Sequence, residues 1–366
     1  MKTLPTAHGA LALPAFLPDG TRGVVKTIDT RDLAESGIQA LMVNSLHLAT
    51  HPGTGVLSGL GGIHRFMGWD VPVASDSGGF QVFSLVSGSS SLGGVSRHGF
   101  SYRLDKGQAK RRLTPDKCVR SQLQIGADIL FCLDYCTHPD ADTHEQRRSV
   151  EYTVAWAKAC KDEFDRWLDQ TGAGAVRPLL FAVVQGGGDP DLRRACAEQL
   201  IEMGFDGYGY GGWPIGDDGR LIDMVGHVSA LVPEAAPLHA LGVGKPENIV
   251  AAYRLGYSLF DCVLPTRDAR HRRLYAFTGP PDELDLDGAA FYEHVYMQDA
   301  RHVRDGRPIG ETCDCLCCRR FSRAYLHHLF RVDDPLALRL ATIHNLRFYA
   351  RLMARLRAPG AAGPAV

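Results

Sequence analysis

Leu179-Leu-Phe-Ala-Val-Val-Gln185, then Gly186-Gly-Gly-Asp189, then Pro190-Asp-Leu-Arg-Arg-Ala-Cys-Ala-Glu-Gln-Leu-Ile-Glu-Met203, is the stretch that decides the fold. A short apolar run reads as a buried strand, the glycines as the turn out of it, and Pro190 as the opening residue of a helix. The same unit recurs on both sides. Candidate strands are Val24–Ile28, Ala40–Asn44, Val71–Asp76, Ile129–Asp134, Leu179–Gln185, Gly207–Gly211, Pro237–Leu241 and Ser258–Val263. Helical stretches such as Thr30–Ser36, Pro115–Gln124, Glu145–Asp169, Pro190–Met203, Arg220–Leu231 and Pro246–Leu255 lie between them. Eight alternations within residues 24 to 263 predict an α/β protein, a (β/α)8 TIM barrel, with a doubly wound sheet as the alternative.

The Gly/Ser-rich connection Gly78–Ser101 reads as a long active-site or surface loop. Beyond Phe277 come a Pro/Asp-rich linker, a cysteine cluster and two helical segments, Phe321–Phe330 and Pro335–Arg357. The expected organisation is a catalytic barrel over 1–276 and 335–357, a zinc-binding subdomain over 277–334, and a flexible tail over 358–366.

The 366 residues are 45% hydrophobic and 22% charged, as in folded globular chains. Overall charge is −1, yet residues 301–366 hold 12 Arg, no Lys and 5 acids, an asymmetry that suits a polyanion or reflects a GC-rich genome. No run approaches the roughly 18 apolar residues of a membrane span, so the cytoplasm is the expected location. Of ten cysteines, six are scattered and four fall within Cys313–Cys318, which reads as reduced thiols plus a metal site.

In a barrel the chemistry stands at the C-terminal strand ends. Those ends carry Asn44, Ser75-Asp76-Ser77-Gly78-Gly79, Asp134, Gln185-Gly186-Gly187, Gly211-Gly212 and Asp261. One Asp at a strand end is more often a helix cap, but three with Gln185 and paired glycines suit a planar, hydrogen-bonding ligand. Two carboxylates in different environments suit glycosidic chemistry, one attacking the anomeric carbon and the other protonating the leaving group. No phosphate-binding Gly-x-x-x-x-Gly-Lys loop occurs, and no Lys stands at a rim position. Cys313-x-Cys315-x-x-Cys318 with His344 offers the three thiolates and imidazole of a closed, structural zinc site. Cys317, His327 and His328 are the rival ligands. Arg267, Arg270, Arg272 and Arg273 follow Asp261 closely, as phosphate contacts or as a solvated loop would.

Ser75-Asp76-Ser77-Gly78-Gly79-Phe80-Gln81-Val82-Phe83, Phe260-Asp261-Cys262-Val263-Leu264-Pro265-Thr266-Arg267, and the cysteine cluster followed by His344-Asn345-Leu346 closely resemble the tRNA-guanine transglycosylases, in order over about residues 20 to 355. The resemblance implies a (β/α)8 barrel with one structural Zn2+, generally a homodimer. It implies exchange of guanine at the anticodon wobble position of tRNA for a 7-deazaguanine base, on the way to queuosine. By that resemblance Asp261 is the nucleophile and Asp76 the general acid/base. Asp134, Gln185 and the Gly212 amide read the base edges, Phe80 stacks on its face, and Leu241 keeps an apolar lid. Asn44 and Gln81 support the ribose and Asp76. Arg267 and Arg270 fall where RNA phosphates bind, and Cys313, Cys315, Cys318 and His344 match the zinc ligands.

Two departures stand out. Trp213-Pro214 replaces the family's smaller residues beside the base, and Tyr135 replaces a Glu. Proline has no N–H, so the Trp213–Pro214 peptide offers the base only the Trp213 carbonyl, which would favour an ammonium-bearing base. Insertion of 7-deazaguanine into DNA and a non-catalytic RNA-binding partner subunit are the rival functions; the presence of both Asp261 and Asp76 speaks against the second.

Overall fold

The computed structural model describes residues 2–89, 91–105, 107–174, 176–287 and 290–358. Eight parallel strands form its centre: Ala15–Pro18, Leu41–Asn44, Val73–Asp76, Ile129–Phe131, Leu179–Val184, Gly207–Tyr210, Leu238–Ala240 and Leu259–Cys262. Each pairs with its sequence neighbour from the second onward, and the eighth pairs with the first, with Leu259 opposite Ala15 and Asp261 opposite Leu17. A parallel bridge from Asp19 to Met42, with the Gly20 amide 2.8 Å from the Met42 carbonyl, brings the first strand to the second and closes the ring.

The strands are apolar on both sides because one side packs the interior and the other packs helices. Leu17, Met42, Ala74, Phe131, Phe181 and Val183 belong to the interior cluster, which the hairpin Thr3–Thr6/Gly9–Ala12 seals at the strands' N-terminal end through Leu4 and Leu11. Outside, Thr143–Thr171 and Pro190–Met203 pack against the ring along Trp156, Cys160, Phe164, Cys196 and Leu200.

Two expectations need correction. Val24–Ile28 is not a strand: Val24 is about half exposed and Thr27 has φ +79°, which no strand residue adopts. The first barrel strand is Ala15–Pro18, four wholly buried residues flanked by prolines, too short and too proline-rich to show a pattern. Nor is Gly78–Ser101 a plain loop. It contains the helix Gly79–Ser87 and the strands Gly93–Ser96 and Gly99–Tyr102, which continue into a three-stranded sheet with Arg111–Leu113.

Strands Arg273–Phe277 and Tyr292–Tyr296 pair beside the cysteine cluster, and the long helix Pro335–Arg357 returns across the barrel. Asn345 on that helix bonds the carbonyls of Pro265 and Arg273 and the amide of Tyr275, Tyr349 donates to the Gly244 carbonyl, and Arg357 donates to the carbonyls of Ala12 and Pro14. The helix therefore clamps the junction of first and last strands. Residues 359–366, most of the expected tail, lie outside the described residues. Among the described residues no helix is long and apolar enough to cross a membrane.

Candidate active site

Asp76 ends its strand, and the backbone turns at once through Gly78, whose φ of +73° and 3.0 Å clearance from the Ser45 hydroxyl leave no room for a side chain. That turn wraps donors around the carboxylate. Asn44 Nδ2 (2.6 Å) and Gln81 Nε2 (3.2 Å) bond one oxygen, and the amides of Ser45 and Gly78, each at 3.1 Å, bond the other. Burial nevertheless pushes the Asp76 carboxyl up to about 7, over the opposing pull of these donors, and the charge of Asp261 adds to the rise. Asp76 thus divides between acid and base near neutral pH.

Asp134 is reached by Gln185 Nε2 at 2.7 Å, and burial raises its carboxyl to about 6. Asp261 accepts from the Gly242 amide (3.1 Å) and from His239 Nε2 (2.9 Å), both on the same oxygen, Oδ1. Asp76, Asp134 and Asp261 face one cavity of about 390 Å3, within the range of small-molecule sites. Phe80, Gln81, Gly212, Trp213 and Leu241 line it too. Asn44 and Gln185 act on it indirectly, by holding Asp76 and Asp134.

Phe80 and Trp213 meet edge to face at 5.9 Å, both partly exposed at the mouth, and the Trp213 indole donates to the Thr137 carbonyl at 3.1 Å. Tyr135 turns away from the cavity; its hydroxyl donates to Glu145 on the adjacent helix. Arg267 and Arg270 lie on the helix Leu264–Arg270 directly after Asp261, Arg267 exposed and Arg270 half-buried with a bond to the Thr266 carbonyl.

Sequence reasoning missed two buried groups behind the cavity. Arg193, almost wholly buried, donates to the carbonyls of Val184, Gly187 and Gly211 and to the Tyr210 hydroxyl, fixing the glycine turns that border the cavity. His239 lies fully buried beneath Asp261. Strand alternation carried the signal, since His239 shares parity with the cavity residue Leu241.

Cys313, Cys315, Cys318 and His344 form a candidate metal centre, with all ligand atoms within 4.8 Å of one another. His344 Nδ1 lies 3.8, 3.6 and 3.2 Å from the three sulfurs. Its Nε2 is 2.7 Å from the Tyr275 carbonyl; donation there leaves the Nδ1 lone pair for a metal. The amides of Gly310 and Cys318 approach the sulfurs of Cys318 and Cys315 at 3.5 and 3.4 Å, as amides do around thiolates. This donor set fits a tetrahedral zinc. The rivals lie elsewhere: Cys317 is buried outside the cluster, and His327 bonds the Met297 carbonyl.

The closed parallel barrel gathers three aspartates and two aromatic rings at its C-terminal mouth and carries a Cys3His cluster beyond them. The chain belongs to the queuine tRNA-ribosyltransferase family, whose model matches residues 1–362. It is 39% identical over 355 residues to the queuine tRNA-ribosyltransferase of Solidesulfovibrio magneticus, covering 97% of this chain and 88% of that protein. To the protein of the same name from Aromatoleum aromaticum it is 40% identical over 361 residues, covering 98% and 91%. With that of Psychrobacter sp. it shares 39% over 356 residues, covering 97% and 88%.

Proposed function

We propose that the protein is a tRNA-guanine transglycosylase, a pentosyltransferase of queuosine synthesis that replaces guanine at the wobble position of tRNA with a 7-deazaguanine base. One observation carries this reading: the carboxyl of Asp76, raised to about 7, and the carboxyl of Asp261, held on one oxygen by His239 and the Gly242 amide, face the same cavity of about 390 Å3. Asp261 attacks C1′ of the ribose, the C1′–N9 bond breaks, and Asp76 gives its proton to the departing guanine. Asp76 then takes a proton from the incoming base, which attacks C1′ and releases the carboxylate. The ribosyl ester conserves the glycosidic bond energy, so the exchange consumes no nucleotide.

Asp134, held by Gln185, supplies an acceptor to the base edge, Phe80 and Leu241 its apolar faces, and Arg267 and Arg270 contacts to phosphates. Pro214 beside Trp213 supports a preference for an ammonium-bearing base. The Cys3His centre is proposed to hold one structural zinc, which when bound cross-links the segment 313–318 to the barrel-clamping helix. A homodimer acting in the cytoplasm completes the proposal. Two facing carboxylates argue against a binding-only partner, and the relatives' names specify tRNA, which argues against DNA.

The test is release of labelled guanine from preloaded tRNA on addition of 7-aminomethyl-7-deazaguanine or queuine. Release with one of the bases, abolished in Asp261→Ala, is expected. Retention of label with both bases overturns the reading.

A further inference from the structure

His239 has no place in the mechanism above, yet it is the most deeply buried polar group at the nucleophile. It sits on the strand Leu238–Ala240, next to the strand that carries Asp261, with no exposed surface. Its Nε2 lies 2.9 Å from Asp261 Oδ1, and the Gly242 amide reaches the same oxygen at 3.1 Å. Among the described residues, Asp261 Oδ2 receives no hydrogen bond and His239 Nδ1 is buried without a partner. The ring meets Phe131 edge to face at 5.4 Å, which fixes its plane. A buried imidazole that leaves one nitrogen unsatisfied carries a cost, and the bond to Asp261 is what its other nitrogen gains. A carboxylate acting as nucleophile only accepts hydrogen bonds, and with Asp261 in that role Nε2 is the donor.

We infer that His239 is a positioning residue that, with the Gly242 amide, anchors Oδ1 of Asp261 and leaves Oδ2 as the oxygen that attacks C1′ and carries the ribosyl ester. This rests on the reading of Asp261 as nucleophile. In the first displacement the Oδ2–C1′ bond forms as the C1′–N9 bond breaks, its electron pair leaving with guanine and the proton coming from Asp76. Oδ1 then becomes the ester carbonyl, still facing both N–H groups. In the second displacement the incoming base bonds C1′, and the ester electron pair returns to the carboxylate, where the same N–H groups receive the restored charge. His239 therefore orients the carboxylate for the first step and stabilises it as leaving group in the second.

The test compares His239→Phe, which keeps the ring and removes the donor, with His239→Gln, whose side-chain amide retains one. His239→Leu substitutes for the Phe variant should that fail to fold, and melting curves check all three. Guanine exchange in His239→Phe is expected to lose about 10–100-fold in kcat, with KM for tRNA unchanged. The covalent enzyme–tRNA species of the proposed mechanism, assayed on denaturing gels, is expected to persist longer, because its breakdown is slowed. His239→Gln recovers most of the rate. A folded His239→Phe with wild-type kcat overturns the inference, and so does a Gln variant as slow as the Phe variant, which would mean the ring matters only for packing. Asp261→Ala run alongside separates the two layers. If it still exchanges guanine, the nucleophile assignment fails; if it is inactive while His239→Phe is normal, only the positioning role fails.

Discussion

Asp76 and Asp128 are both buried aspartates of one barrel, each surrounded by N–H groups, and they are driven in opposite directions. Asp76 stands at the C-terminal mouth among amides and the charge of Asp261, and burial wins, raising its carboxyl to about 7. Asp128 stands at the N-terminal floor. Its oxygens meet His8 Nδ1 at 2.9 Å, His64 Nε2 at 3.0 Å, and the amides of His8 and Val73 at 3.0 and 2.9 Å. Burial pushes this carboxyl up too, but the bonds from His64, Val73 and His8 outweigh it and hold it below the usual carboxylate range. The difference lies in the balance: at Asp76 the donors fall short of burial and the Asp261 charge adds to it, whereas at Asp128 hydrogen bonds from two imidazoles and the Val73 amide exceed it. The mouth holds a carboxyl that titrates near neutrality; the floor holds a knot between hairpin, helix and strand.

Substitution at each end should split activity from stability. Asp76→Asn is expected to lower exchange by about 10²–10⁴-fold with tRNA binding intact, as measured by single-turnover guanine release and by filter binding. Equal activity would erase the distinction from the mouth side. Asp128→Asn should do the reverse, costing about 1–3 kcal/mol of stability by leaving buried hydrogen-bond donors without their carboxylate while kcat of the folded fraction is retained; denaturant unfolding beside exchange assays would show it.

The pH response sharpens the contrast with a smaller effect. A carboxyl depressed in the folded state, such as Asp128, stabilises fully above its unfolded pKa and loses that contribution as pH falls through its folded value. Asp76 behaves oppositely: its folded-state cost is absent below the ordinary carboxylate pKa and complete once pH exceeds about 7. Guanine release, which in the proposed mechanism draws its proton from Asp76, should therefore fall as pH rises through about 7, and the fall should vanish in Asp76→Asn. A flat profile in the wild type would remove Asp76 from the acid role.

Much of this was legible in the chain. Alternating apolar runs and proline-started helices gave seven of the eight barrel strands, because those runs are buried on both sides and stay apolar. The exception, Ala15–Pro18, is four residues that follow one proline and end in another, and the apolar Val24–Ile28 nearby imitates a strand while Thr27 at φ +79° forbids one. Glycine and serine hid the helix Gly79–Ser87, whose Phe80 and Gln81 the cavity uses. Rim residues at strand ends showed in the sequence because their polarity breaks an apolar run. Arg193 did not, since its meaning depends on which buried oxygens it meets, and His239 showed only its parity with Leu241, not its partner Asp261.

The short first strand has a consequence in time. It cannot acquire its partner Leu259–Cys262 until nearly the whole barrel has been synthesised, and Arg357 bonds Pro14 across 343 residues of chain. At translation rates of about 5–20 residues per second, the strand waits roughly 10–50 s on the ribosome. An unpaired strand edge is an invitation to the wrong partner. Pro14 and Pro18 lack N–H groups and the strand is only four residues long, so the nascent edge offers little to recruit a stranger.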